Sequence, residues 1–321
     1  MTTRARYLIA VPWALATVAA FALSATSLHA QSAAPYTVIA TGKTFGRLQD
    51  AVNAIGDGKG TIAVSAGTHK DCAVQTAGEI AYLGTAPGQS VFDGGTCEGK
   101  AALVLRGRGA SVSGLTFQNM RVSDFNGAGI RLETGNLTVA QSWFKDSQQG
   151  ILTGNDEAGR IVIDKSTFTR LGTCEGPGGC AHSIYIGNYG HLRVTRSRFE
   201  EGRGGHYVKA RSARVDIASS SFDDSKGRAT NYMIDLSDGA TGQISNNWFV
   251  QGRNKENHTA LITVAPENRW HSSAGLVVTG NDARIAPGAD FGSAFVADWS
   301  GDTLDVGGNT LGSGLKSYER R

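Results

Sequence analysis

The sequence predicts an all-β solenoid, a parallel β-helix with one short α-helix covering its N-terminal end. Three observations carry that expectation. A unit of an aliphatic residue, polar steps, Ser or Asn, any residue and then Phe recurs at 139–144, 163–168, 194–199, 217–222 and 244–249. The Phe-to-Phe spacings from Phe117 onward are 27, 24, 31, 23 and 27, so length varies at one place per repeat. Helical periodicity is confined to one stretch, Phe45, Leu48, Ala51, Val52 and Ile55, closed by Gly56 and Gly58.

The chain opens with Arg4 and Arg6, an apolar run over residues 7–23 and then small polar residues. This is the pattern of a secretory leader, with cleavage expected after Ala30 or near Ser27. An uncleaved anchor is the competing reading, since the run matches the shortest membrane-spanning helices of about 17 residues. The expected location is therefore the periplasm or the exterior, with no stable membrane span once residues 1–30 are removed. Of 31 basic residues the leader takes Arg4 and Arg6, leaving 29 against 28 acidic ones. That balance argues against nucleic acid or an anionic membrane as partner.

Residues 36–39 read as a first strand, followed by a helix of about three turns at 45–55. Strand material begins at 61–64, and from there each Phe is followed by a loop and a second strand centred on Ile130, Ile151, Ile184, Val208, Ile234 or Ile262. Phe117 starts the series in a degenerate unit, and Ala283 ends it in the Phe slot. A period in this range means a solenoid or a propeller, but propeller blades need about 40–50 residues. Ser or Asn at a fixed slot suits a hydrogen-bonded ladder at each bend, and the helix covers an open end that would expose core. Coils are expected over about 60–311, in one domain spanning 31–321, with a polar tail at 313–321 leaving the coil. Cys72, Cys97, Cys174 and Cys180 admit three disulfide connectivities. The local pairs Cys72–Cys97 and Cys174–Cys180 are the simplest, and no zinc spacing is present.

The helix, the segment Gly60-Thr61-Ile62-Ala63-Val64-Ser65-Ala66-Gly67-Thr68 and the Ser/Asn-x-Phe rungs together resemble the pectate-lyase-like superfamily of right-handed parallel β-helices. The resemblance runs over about residues 36–311. It implies a right-handed coil with a carbohydrate polymer lying along its outside. It does not choose an activity, because that architecture hosts lyases, hydrolases, esterases, epimerases and non-catalytic adhesins.

Aligning rungs on Ile184, Val208 and Ile234 puts Tyr185, Lys209 and Asp235 in one column, with a spacing of about 4.8 Å between stacked strands. Alternation adds Tyr207 and Arg211 to the face of Lys209 and turns Val208 and Ala210 the other way. This column is the expected active face of a polysaccharide lyase. β-Elimination on a uronate needs the carboxylate neutralised, the α-proton removed and the leaving oxygen stabilised. Lys209 is the candidate base, Arg211 the carboxylate clamp, and Tyr185 or His206 the group at the leaving oxygen. Some β-helix lyases pair Lys with Arg in this way, so the resemblance supports the assignment. Arg131, His182, Tyr207, Asp235 and Glu267 are the expected substrate-binding residues. Asp235 would raise the Lys209 pKa and Arg211 would lower it.

Other readings stay open. Lys209 and Arg211 also suit a solvated basic face or a plain cross-rung ion pair. His182 and His206 share a slot and either stack inward or reach the groove through the Gly204–Gly205 turn. A glycosidase needs two carboxylates about 5–9.5 Å apart, and of Glu133, Asp235, Asp238 and Glu267 the pair Asp235 with Glu267 fits best. A binding or adhesive surface without catalysis is the third reading. No cofactor or metal is expected. Calcium would need several converging oxygens, and Asp235 with Asp238 is the place to look.

Overall fold

The computed structural model describes residues 1–3 and 34–321. Apart from its first three residues, the leader expected at 1–30 lies outside the described residues, as does the apolar run at 7–23. Among the described residues no helix is long and apolar enough to cross a membrane.

Residues 34–321 form a right-handed parallel β-helix of one twelve-stranded and two ten-stranded sheets, capped at its N-terminal end by the helix Leu48–Ile55. Tyr36–Val38 pairs antiparallel with Lys43–Phe45 and with Lys59–Val64, and the ladders that follow are parallel. The helix turns Leu48, Ala51 and Val52 into the end of the core. It is a turn shorter than the apolar spacing predicts. Phe45 ends the strand Lys43–Phe45 instead, and Asp71 accepts the Leu48 N–H at 2.8 Å, which fixes where the helix starts.

One ten-stranded sheet carries a stack of rings. Phe92, Phe117, Phe144, Phe168, Phe199, Phe222 and Phe249 follow one another at 4.7–5.5 Å with near-parallel planes. The stack begins one rung before the sequence repeat becomes recognisable. At its far end Ala283 holds the register against Phe249, and Phe295 enters edge-on from the opposite wall to fill the space. At the preceding bend each ladder residue accepts the backbone N–H of its predecessor, through Ser166, Ser197, Ser220, Asn247, Asn281 and Asn309. The residue before the ladder position has positive φ, as at Gln141, Lys165 and Arg196 (48°, 47° and 50°). The ladder bond offsets a local strain that non-glycine residues meet there.

The second ten-stranded sheet holds Ile184–Ile186, Val208–Ala210, Ile234–Leu236 and Ala260–Val264 as neighbours. Its outer face forms the floor of the groove described below. The polar tail does not leave the coil. Leu315–Arg320 is the last strand of this sheet, parallel to Ser293–Asp298. Backbone pairing placed it there, since Leu315 and Tyr318 pack on the core while the charges stay outside. Cys72–Cys97 and Cys174–Cys180 are disulfides, leaving no free cysteine among the described residues.

Candidate functional site

Inward-facing aliphatics set the register of the groove sheet. Ile184, Val208 and Ile234 pair rung to rung, and this forces Tyr185, Lys209 and Asp235 into one outward column. Arg131 and Leu152 precede Tyr185 in the same column, and Thr263 follows Asp235. Over this floor lies a cavity of about 380 Å³ whose wall includes Phe125, Gly179, His182, Tyr185, Lys209 and Glu267. The loop closed by Cys174–Cys180 stands on one side of it.

The cations are already engaged. Lys209 Nζ donates to Asp235 Oδ2 at 3.0 Å and to Glu267, and it is buried. Burial alone would lower its pKa, but the carboxylates of Asp235 and Glu267 outweigh that and raise it. Arg211 donates through Nη1 to both oxygens of Asp238 at 2.7 and 2.9 Å, through Nε to Tyr185 Oη at 2.9 Å, and through Nη2 to Glu267. Burial disfavours its charge, yet Tyr185, Asp238 and Glu267 together hold its pKa above the ordinary value. Glu267, partly exposed, thus lays one carboxylate across both cations. Burial works against its charge, while Lys209 and Arg211 bring its pKa below the ordinary value.

Asp235 is sealed. It accepts from Lys209, Ser237 Oγ at 2.7 Å and Thr263 Oγ1 at 2.8 Å, so it orients Lys209 rather than facing a ligand. Asp238, read from sequence as a place for calcium, spends both oxygens on Arg211 and takes a further bond from Asn268.

The histidines satisfy both sequence readings in part. His182 and His206 stack at 4.9 Å, and His182 also meets Tyr185 edge-on at 5.4 Å on the cavity wall. His206 lies behind it, between His182 and Tyr232, with its Nε2 3.6 Å from Asp235. Burial, reinforced by the nearby Lys209, lowers the pKa of both, that of His206 to about 3. The His182 Nδ1 accepts the His206 backbone N–H at 3.0 Å, so neutral His182 carries its proton on Nε2.

Five expected residues therefore line one cavity: His182, Tyr185, Lys209, Arg211 and Glu267. His206, Asp235 and Arg131 do not. Arg131 sits two rungs away near Glu133, at 3.9 Å. Tyr207 is a correction. Its ring is in the core and its hydroxyl donates to Asp224 at 2.7 Å, because the Gly204–Gly205 turn (φ 139° and 60°) breaks the alternation before the strand begins. Sequence reasoning missed Gln149, a buried cavity residue whose Oε1 has no partner among the described residues. It also missed the Arg211–Asp238 pair, which joins different loops and leaves no local signal.

Comparison with known proteins agrees with the architecture. The solved structure of ORF18 of Geobacillus virus E2 is similar over 84% of this chain, with a TM-score of 0.50 and 14% identity. The match covers 55% of that protein, so the chain spans about half of its length, and the likeness is one of fold alone. The sequence has no match among curated proteins. The fold is consistent with carbohydrate-active β-helix proteins. A family model described as "Right handed beta helix region" matches residues 101–310, well over half of the chain, and the chain belongs to that family.

Proposed function

We propose that this chain is a carbohydrate-active β-helix protein whose groove takes an acidic, uronate-containing polysaccharide and cleaves it by β-elimination. One observation carries the reading. Lys209 and Arg211, from different points of one strand and its exit, converge on a single carboxylate beside the Tyr185 hydroxyl. Glu267 provides that carboxylate here, and a substrate uronate would take its place once the Glu267 side chain swings away.

Roles follow from the protonation states. A lysine whose ammonium is bound to two carboxylates with a raised pKa is a poor base, so the expected base role of Lys209 is revised to charge neutralisation. Arg211 shares that task and donates to Tyr185 Oη, the oxygen that the elimination requires in deprotonated form. Tyr185 then removes the proton α to the uronate carboxylate. The C–H electron pair forms the C=C bond, the bond to the glycosidic oxygen breaks, and the phenol returns the proton to the leaving oxygen. His182 Nε2–H is a donor to a sugar oxygen. Hydrolysis by Asp235 and Glu267 has less support, since both bond the same ammonium and Asp235 is sealed from the cavity.

The test is unsaturated product, followed by ultraviolet absorbance on a panel of acidic polysaccharides. Tyr185→Phe should lower the rate by about 10²–10⁴-fold, the usual size of a proton-transfer contribution. An unchanged rate would refute the role of Tyr185. A second reading, binding without cleavage, is favoured by the pairing of both groove cations with protein carboxylates. It predicts no product from any polymer, with binding that Arg211→Ala removes.

A further inference from the structure

A cleft of about 1120 Å³ shares no lining residue with the groove. Its wall holds Arg170, Arg203, Lys226, Arg228, Arg253 and Lys255 against one acid, Glu201. These residues come from the loops that follow Phe168, Phe199, Phe222 and Phe249, so four successive rungs each contribute a cation. Such a row spans roughly 14 Å at the spacing of stacked strands.

The charges divide into a floor and a rim. At the floor Lys255, with 1% of its side chain exposed, donates to Asp224 at 2.9 Å. Asp224 also accepts from Tyr207 Oη at 2.7 Å and from Thr230 Oγ1, which ties three rungs together. The chain closes around it so tightly that a Cβ on Gly227 would come within 1.7 Å of Asp224 Oδ1, and one on Gly252 within 1.9 Å of its carbonyl oxygen. Glycine is the residue that fits at both. The rim is free. Arg228 and Arg253 are exposed and form no ion pair among the described residues. Lys226 is 77% exposed with Glu201 no nearer than 3.5 Å, and Arg203 is 46% exposed with Asp146 at 3.4 Å. Long, hydrated contacts of that kind hold a side chain weakly. Four cations on a braced frame are thus available to a ligand.

We infer that this cleft binds an anionic polysaccharide segment, carrying carboxylate or sulfate groups at intervals that match successive rungs. A sugar polymer is favoured over nucleic acid because the chain as a whole is near neutral, with 31 basic and 28 acidic residues, and the cleft offers its cations rung by rung along one row. The inference stands apart from the reaction proposed for the groove.

The experiment titrates the full chain and its Arg228→Ala/Arg253→Ala variant with fluorescently labelled polygalacturonate, dextran sulfate, uncharged dextran and duplex DNA. The wild type should bind one or both charged polysaccharides, and which one it prefers distinguishes carboxylate from sulfate. The double variant should bind about tenfold more weakly, having lost two charge-assisted contacts. Both arginines are exposed and unpaired, so the variant should fold as the wild type does. Equal binding by variant and wild type, no binding to either charged polysaccharide, or equal affinity for DNA would each overturn the inference. Failure of the groove reaction shows instead as missing unsaturated product and leaves this titration unaffected.

Discussion

Lys209 and Asp235 hold the same position on neighbouring strands, and their side chains close a 3.0 Å ion pair with only 8% and 2% of their surfaces exposed. Removing one partner leaves a buried charge without compensation. Lys209→Met, which leaves the sealed Asp235 without its bonded cation, should therefore destabilise the chain by about 3–5 kcal/mol, whereas Asp235→Ala, which leaves Lys209 bonded to the partly exposed Glu267, should cost less than that. Chemical denaturation of both variants gives the comparison. Equal losses would mean that the pair is not the buried element described.

The stacked histidines set a pH dependence. Both have pKa values below the ordinary 6.5, so the native state keeps them neutral where the unfolded chain takes up protons. Their contribution to stability is present above pH 6.5 and is lost as pH falls toward about 3, the His206 value. Denaturant midpoints should fall between pH 7 and pH 4.5, and His206→Gln should flatten that slope. A variant with the wild-type slope would place the acid response elsewhere.

Glu267 competes with any anionic ligand for Lys209 and Arg211. Glu267→Gln keeps the shape and weakens the competition. Uronate oligomers should then bind about three- to tenfold more tightly, a gain of the order of one exposed ion pair. Calorimetric titration would decide the point, and weaker binding would show that Glu267 contacts the ligand itself.

Reduction of Cys174–Cys180 should loosen the groove wall while the coil stays folded. A loop with a sequence separation of 6 stabilises by about 2 kcal/mol in the chain-entropy account. Circular dichroism should stay β-type after mild reduction, and ligand affinity should drop. Unfolding of the whole domain on reduction would contradict this.

What the sequence made legible was whatever repeats. The Phe stack and the Ser/Asn ladder were readable because each rung presents the same side chain to the same neighbour. The column of Tyr185, Lys209 and Asp235 was readable because a one-residue slip would turn Ile184 and Val208 out of the core. What lay outside the period was lost. Tyr207 precedes its strand by a glycine turn, so alternation does not reach it. The ring of Phe295 substitutes for a missing rung from another sheet, a relationship between distant segments with no periodic trace. The Asp224–Lys255 pair is buried between two loops of irregular sequence. The strand Leu315–Arg320 was hidden by its charge, although backbone pairing needs no apolar side chain.

That last strand has a further consequence. Among the described residues it borders Ser293–Asp298 on one side and no strand on the other, so its backbone groups lie at a sheet edge. The opposite end is covered by a helix. Here Lys316, Glu319, Arg320 and Arg321 border the edge, with an excess of positive charge. A like edge brought up by another copy would meet charge of its own sign before any hydrogen bond formed. Within the described residues, the strand that looks least like part of the coil thus sets a charge against end-to-end pairing of two such edges.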